Sequence, residues 1–370
     1  MNATSPLAAF RAALLADPAA QQQLAEPVEP DRFEAQACAW AAAQGIALTP
    51  AMLREAEQGA PLRIERCPPA GWLPAALGPD LAIEWLHFAG VVPNHPFFEI
   101  AQREARARPL NRLLRLRTTL DTLIDAPRAA GFAPAGFIFH MSRCGSTLVA
   151  QMLGAAPGHV ALSEPAPLDA LIRAPLGDEE RHAEALRALL HAWGRSADRL
   201  FVKFDAWHTR ALPLLRRAFP HVPWIFLHRD PVEVLVSHRR GRGTHTVPGL
   251  IPLDWFGLAP ADAGLPETAF TARVLEQICT PAMAHAAEGG LLVDYAELPR
   301  AFFTRILPHF GLEPDARARV AMERAAARNA KEPHAAFLPD DDAKQREAGP
   351  EQHAAAARVR VVLSPSASPR

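Results

Sequence analysis

The stretch FIFHMSRCGSTLVAQML, Phe137 to Leu153, sets small and hydroxyl residues between an apolar run and a helical pattern. That is the arrangement of a phosphate-binding loop, in which backbone N–H groups converge on an anion at a helix N-terminus. A triphosphate loop reads G-x-x-x-x-G-K-[ST]. Here His140 stands at the first glycine and Ser146 at the lysine. What remains is the N–H groups of Arg143, Cys144, Gly145 and Ser146, the hydroxyls of Ser146 and Thr147, and the Arg143 guanidinium. Cys144 reads as a small filler and not as a nucleophile. An ordinary strand–turn–helix is the plainer reading of the same residues; the apolar lead-in and the hydroxyl pair favour the anion site. Lys203, in FVKFDAW, lies in an apolar strand, where an ammonium is costly unless paired. With Lys331 and Lys344 it is one of three lysines in a chain whose other basic residues are arginine. A lysine kept in that setting is more apt to be needed as a compact ammonium. In PWIFLHRDPVEVLVSHRR, Asp230 can cap a helix, Pro231 suits its first turn and Glu233 completes a capping box. Arg229 at that mouth and Ser237 further along can bracket a phosphate, although Arg229 alone reads as a surface ion-pair residue.

Together these segments resemble the bacterial P-loop sulfotransferases, which use 3′-phosphoadenosine 5′-phosphosulfate (PAPS). SRCGSTL is similar to the family's 5′-phosphosulfate loop, commonly P-[KR]-S-G-[ST]-T. The segment around Arg229 is similar to its 3′-phosphate motif, with Ser237 eight residues after Arg229. The resemblance spans roughly residues 135–345 and implies PAPS as co-substrate with no metal. It also accounts for the absent loop lysine. In triphosphate enzymes that lysine neutralises the β/γ-phosphates beside Mg²⁺, whereas a sulfuryl group carries less charge and needs no metal bridge. Glu164 ends VALSEP, 21 residues after Arg143, a spacing like that of the catalytic glutamate of tyrosylprotein sulfotransferases. Lys203 stands where sulfotransferases carry the lysine that stabilises the leaving phosphate. The transfer needs a base for the acceptor's proton and a cation near the bridging oxygen, and these two residues supply both.

The resemblance has departures. Cytosolic small-molecule sulfotransferases place a histidine two residues after this lysine, where this chain has Asp205; His208 is five residues away. Glu164, Asp205 and His208 therefore stand, in that order, as the base. The family's carboxy-terminal lid, G-x-x-G-x-x-K, is unmatched, which leaves Lys331 and Lys344 as lid residues, against a solvated tail. Asp294 in LLVDYAEL suggests a Walker-B aspartate, but the same stretch resembles a segment sulfotransferases carry, and Asp294 and Tyr295 read as structural. The expected catalytic set is Glu164, Lys203, Arg143 and Asp205. The expected PAPS contacts are Arg143, Cys144, Gly145, Ser146, Thr147, Arg229, Ser237 and Lys331. The acceptor, a hydroxyl or amine on a small molecule or a peptide, is not legible. A P-loop small-molecule kinase using Asp294 for Mg²⁺ lacks the loop lysine. A non-catalytic peptide-binding protein on a degenerate fold sits poorly with intact Glu164 and Lys203.

The elements that must position these residues begin at Gly136. Strand-like runs (GFIFH, HVALSE, RLFVKF, PWIFLH, GLLVDY) alternate with helical ones, including residues 146–155, TRALPLLRRAF, PVEVLVSHRR, 267–287 and ELPRAFFTRIL. Such alternation predicts an α/β fold, a parallel sheet flanked by helices, with ligands at the carboxyl ends of the strands. The P-loop domain is expected over 131–345 and a flexible tail over 346–370. Residues 1–57 read as a small all-helical unit. Asp17-Pro18 and Thr49-Pro50 mark helix starts, Leu48 and Leu53 form a hydrophobic staple, and Asp31 with Glu34 makes a capping box. This unit also resembles the Nif-eleven-like family of leader regions. Residues 58–130 read as a helical connecting segment packed on the main domain, with RPLNRLLRLRTTLDTLI as one amphipathic helix.

Composition narrows the classes. The 370 residues are 49% hydrophobic and 21% charged, with a net charge of −1, which excludes a nucleic-acid binder with a broad basic face. No run approaches a membrane span, and the first residues show no secretory pattern. Cys38, Cys67, Cys144 and Cys279 are scattered. A cytoplasmic protein without disulfides or zinc is expected.

Overall fold

The computed structural model describes residues 5–328 and 341–364. They fall into two units. The first runs to Phe132 and takes in 165–175 and 184–197; the second holds the remainder.

Proline opens each of the first four helices of the first unit: α1 (Pro6–Ala16), α2 (Pro18–Ala25), α3 (Pro30–Ala43) and α4 (Pro50–Ala56). Its missing N–H costs nothing at a position that lacks a helical partner anyway. Asp17 Oδ1 accepts the Ala20 N–H at 2.9 Å and Thr49 Oγ1 that of Met52 at 3.4 Å, so both expected caps form. Leu48 and Leu53 are both buried. The Asp31–Glu34 capping box does not form. Helix α3 starts two residues earlier, at Pro30 with Glu29 as its N-cap, and Glu34 is taken by Arg54, at 2.8 Å to both carboxylate oxygens.

Residues 58–130 are not a helical connection. They hold β1 (Leu62–Arg63), β2 (Trp72–Leu77), β3 (Ile83–His87) and β4 (Leu116–Thr118) in the sheet order β1-β4-β3-β2, with helices α5 (Phe98–Ala107), α6 (Pro109–Leu114) and α7 (Leu120–Ile124). The expected long helix from Arg108 breaks because Arg115 is left-handed (φ 45°) and Leu116–Thr118 pairs with strands remote in sequence. Gln21 of α2 takes the Trp72 Nε1–H at 2.7 Å. Asn111 bonds both the N–H and the carbonyl of His87. These buried polar pairs hold helices and sheet in one core.

The second unit is built on a five-stranded, wholly parallel sheet flanked by helices. Its strands are β5 (Gly136–His140), β6 (His159–Ser163), β7 (Arg199–Lys203), β8 (Trp224–His228) and β9 (Gly290–Asp294), in the order β6-β7-β5-β8-β9. The intervening helices are α8 (Ser146–Gly154), α9 (Ala166–Ile172), α10 (Glu179–Gly194), α11 (Leu212–Ala218), α12 (Pro231–Arg240) and α13 (Glu267–Ala284). Both α9 and most of α10 belong to the first unit. Every residue of β5 is buried, as a central parallel strand requires. Successive strands are laid to one side of β5 and then, from β8, to the other. The order reverses at β5, and its carboxyl end is the crevice where open α/β sheets bind ligands.

Two expected helices differ. TRALPLLRRAF is a 3₁₀ turn over Ala206–Ala211 followed by α11. ELPRAFFTRIL becomes a 3₁₀ turn (Tyr295–Glu297), a π-helical turn (Phe302–Ile306) and the short α14 (Leu307–His309). Beyond them lie α15 (Ala316–Ala326), α16 (Asp341–Glu347) and α17 (Pro350–Leu363). Most of the expected tail is therefore helix: α17 packs on α12 and α13, with Ala356 and Val359 fully buried. Among the described residues no helix is long and apolar enough to cross a membrane.

Candidate functional site

The loop after β5 is shaped by its own strand. The Ser142 N–H donates to His140 Nδ1 at 3.0 Å, and the Met141 N–H to Leu227 O at 3.0 Å. Ser142 (φ 79°) and Arg143 (φ 54°) then adopt left-handed conformations, followed by Gly145 (φ 82°). Two such non-glycine residues in succession cost energy, and strain of this kind clusters at binding loops. Gly145 is required twice. Its φ disfavours any side chain, and a Cβ there would lie 2.9 Å from both Tyr295 and Leu298. Among the described residues, the N–H groups of Arg143, Cys144, Gly145 and Thr147 donate to no backbone carbonyl. Ser146 and Thr147 open α8, both nearly buried. The loop leads into the start of a nine-residue helix, whose first N–H groups have no intrahelical partner. Cys144 is buried and gives its thiol to Leu227 O; burial pushes it up to about 12, so it is a filler, as expected.

Glu164 and Lys203 end the neighbouring strands β6 and β7 and meet. Lys203 Nζ lies 2.5 Å from Glu164 Oε1, and the Glu164 N–H donates to Lys203 O at 2.8 Å. Glu164 is itself left-handed (φ 52°). The third member is His140, which the sequence marks only as the wrong residue for a triphosphate loop. Its Nδ1 accepts from Ser142, so its proton sits on Nε2, which donates to Phe204 O at 3.0 Å and lies 3.4 Å from Glu164 Oε1. Burial opposes the Glu164 charge, but the Lys203 ammonium, with His140 behind it, outweighs that and holds the carboxyl well below the usual carboxylate range. Burial likewise lowers His140 and keeps it neutral.

Arg143 Nη2 donates to Gly241 O at 2.7 Å, which ties the loop to the segment after α12. Asp205 and His208 form a separate pair, Oδ2 to Nδ1 at 3.8 Å, with His208 buried. Of the three possible bases, Glu164 meets the lysine directly, at 2.5 Å.

The second anion motif is built as expected in part. Asp230 Oδ1 caps α12 through the Val232 N–H at 2.8 Å, behind Pro231. Glu233 makes no capping box: its Oε2 takes Arg229 Nε at 2.5 Å and its Oε1 takes Gln345 Nε2 at 2.9 Å. The Arg229 guanidinium lies 4.1 Å over the Tyr295 ring, and its Nη1 reaches Arg143 O at 3.4 Å. Arg229 thus bridges the two segments, and Tyr295 packs against it. Ser237 lies one turn beyond Glu233 on α12. A cavity of 580 Å³ opens here, lined among others by Arg229, Asp230, Glu233, Tyr295 and Arg360. Asp294 Oδ1 accepts the Ala296 N–H at 2.8 Å, a capping role, and its Oδ2 lies 3.5 Å from His228 Nδ1. Of the lid residues, Lys331 lies outside the described residues. Lys344 is buried on α16, which is held to α12 by Glu347 against Arg239 and Arg240.

Burial holds several histidines neutral: His87 falls to about 4 and His245 to about 3. Their folded values lie below the unfolded one of about 6.5, so the stability they contribute is present above that pH and lost as pH falls. At pH 5 each should cost about 2 kcal/mol relative to neutral pH. Calorimetric melting at pH 7 and pH 5 should show a clear drop in Tm; a flat profile would contradict it.

No protein-family model matches the chain, and no curated protein matches it. Several solved structures are similar. The sulfotransferase domain of the Synechococcus PCC 7002 olefin synthase is 18% identical over 65% of this chain and 92% of its own, with a TM-score of 0.37. Sulfotransferase STF1 from Mycobacterium tuberculosis is 16% identical over 61% and 80%, with a TM-score of 0.34. The sulfotransferase domain from the curacin biosynthetic pathway is 12% identical over 62% and 98%, with a TM-score of 0.38.

Proposed function

We propose that this chain is a PAPS-dependent sulfotransferase of the P-loop type, moving a sulfuryl group to a hydroxyl or amine. One observation carries the reading. A strained loop without a lysine follows β5, and a part-buried Glu164–Lys203 pair stands at the ends of β6 and β7 on one side of it. The loop N–H groups, Thr147 and Arg143 hold the 5′-phosphosulfate; Arg229 and Ser237 hold the 3′-phosphate beside the 580 Å³ cavity.

In the transfer, Glu164 takes the proton of the acceptor while the acceptor's oxygen or nitrogen bonds to sulfur. The bond from sulfur to the bridging phosphate oxygen breaks, and its electron pair stays on that oxygen. Lys203 and Arg143 stabilise the charge that develops there. The resting pair keeps Glu164 a weak base. As Lys203 turns to the phosphate oxygen, the carboxylate loses its strongest partner and its proton affinity rises. Asp205 stays second in order as the base. Lys331 and Lys344 remain the residues we assign to covering the nucleotide. The resemblance of residues 1–57 to leader regions favours a docking role for a peptide acceptor.

Adenosine 3′,5′-diphosphate at 100 times its Kd should stabilise the folded chain by about 2.7 kcal/mol. ATP with Mg²⁺ should do far less, since neither a loop lysine nor a free Asp294 carboxylate awaits it. Differential scanning fluorimetry with both ligands decides the matter: equal shifts sink the 3′-phosphate claim, and metal-dependent ATP turnover revives the kinase.

A further inference from the structure

We propose that His245 binds the acceptor, its Nε2 hydrogen-bonding the nucleophilic hydroxyl or amine. This rests on the sulfotransferase reading and adds the side of the site that the sequence motifs leave blank. His245 lies in a 3₁₀ turn, Thr244–Thr246, just after the Gly241 carbonyl that holds Arg143. The residue is 6% exposed, and its Nε2 is buried with no hydrogen-bond partner among the described residues. A buried polar atom left unpaired carries a desolvation cost, and buried polar atoms elsewhere in folded chains are almost always paired. Retaining one is explained when a ligand completes it.

The surroundings make its position deliberate. The ring packs edge-on against His238 with centroids 5.3 Å apart, and tilted against Trp207 at 5.8 Å. Gly243 makes room for this: a Cβ there would lie 2.8 Å from His245 Cε1 and 3.2 Å from His238 Cε1. The Thr246 hydroxyl donates to Gly243 O at 2.8 Å and closes the turn. The turn of His245 follows the Gly241 carbonyl that Arg143 Nη2 takes at 2.7 Å, and Trp207, against which the ring packs, lies just after Lys203 in the chain. Burial keeps the imidazole uncharged, which suits a neutral hydroxyl or amine. The adjoining Trp207 ring suits an acceptor whose hydroxyl sits on an apolar body. Glu164 still receives the proton; His245 fixes where the lone pair points.

The test uses the full chain with PAPS and two acceptor probes, 4-nitrophenol and water. His245→Ala should bind adenosine 3′,5′-diphosphate within about twofold of wild type by calorimetry. Its transfer to 4-nitrophenol should fall at least about tenfold, with KM for the phenol raised. His245→Asn, which keeps a hydrogen-bonding group, should recover part of that loss. Unchanged transfer in His245→Ala, or a loss of diphosphate affinity as large as the loss of rate, overturns the proposal alone. Wild type that binds the diphosphate yet transfers to neither probe also removes His245 from an acceptor site. Wild type that binds no diphosphate overturns the sulfotransferase reading and this proposal with it.

Discussion

Lys203→Met should destabilise the ligand-free protein by about 1–3 kcal/mol, because it strands the part-buried Glu164 carboxylate without its ammonium. Lys203 is 1% exposed and the pair closes at 2.5 Å, while the Glu164 side chain, 22% exposed, keeps partial access to water. His140 offers one Nε2–H, already shared with Phe204 O, and cannot take over. Glu164→Gln removes the carboxylate that Lys203 meets at 2.5 Å and should also destabilise. Combined, the two substitutions remove both charges, and the double variant should regain most of the stability. Activity should not return. The single lysine variant should lose on the order of 10²–10³ in kcat through the missing charge at the leaving oxygen. The double variant should also lack the base, typically worth on the order of 10²–10⁴. Urea unfolding and sulfuryl transfer on the same three proteins separate the roles. If stability and activity recover together, the pair is a structural ion bridge and the mechanism is wrong. If acidification below the ordinary carboxylate range leaves stability unchanged in wild type, the depressed Glu164 is wrong too. A carboxyl lowered on folding contributes above its unfolded value and loses that contribution as pH falls.

How much of this was legible follows from how local each signal is. The strands of the parallel sheet are continuous apolar runs bounded by turns, and α12 begins and ends where Asp230-Pro231 and Arg240 predict. Glu164 and Lys203 could be singled out because each ends an apolar strand, and adjacent parallel strands bring such ends together. What failed depended on partners far away in sequence. The 109–124 segment has a helical pattern, but Leu116–Thr118 is claimed by β3 and β1. Both proposed capping boxes lost their glutamate to an arginine, Glu34 to Arg54 and Glu233 to Arg229. A capping box is worth a fraction of a charge-assisted pair, so the arginine wins wherever it can reach. Helix α17 was hidden by a low-complexity, alanine-rich sequence whose only signal is Gly349-Pro350. His245 carries no motif at all; only the unpaired Nε2 reveals it.

Arg229→Ala should abolish the preference for a 3′-phosphate. Removing one partner of a buried, hydrogen-bonded charge pair costs about 2–5 kcal/mol, on the order of 30- to 3000-fold in Kd. Adenosine 3′,5′-diphosphate should weaken by that factor, while adenosine 5′-phosphosulfate, which has no 3′-phosphate, should bind nearly as before. The ion pair with Glu233 makes the prediction sharper. Arg229 gives Nε to Glu233 and stacks on Tyr295, and these two contacts fix the plane of its guanidinium. Glu233 therefore orients the fork and at the same time competes with the phosphate for it. Glu233→Gln should keep the orientation through Gln345 and Tyr295 and remove a negative charge, so affinity for the diphosphate should hold or rise. Arg229→Lys should fail, because a point charge can neither fork nor stack. Calorimetry with the two nucleotides on these variants gives the answer directly. A diphosphate preference that survives Arg229→Ala would remove Arg229 from the site. A loss in Glu233→Gln as large as in Arg229→Ala would make the pair a fold support and leave the 3′-phosphate without its partner.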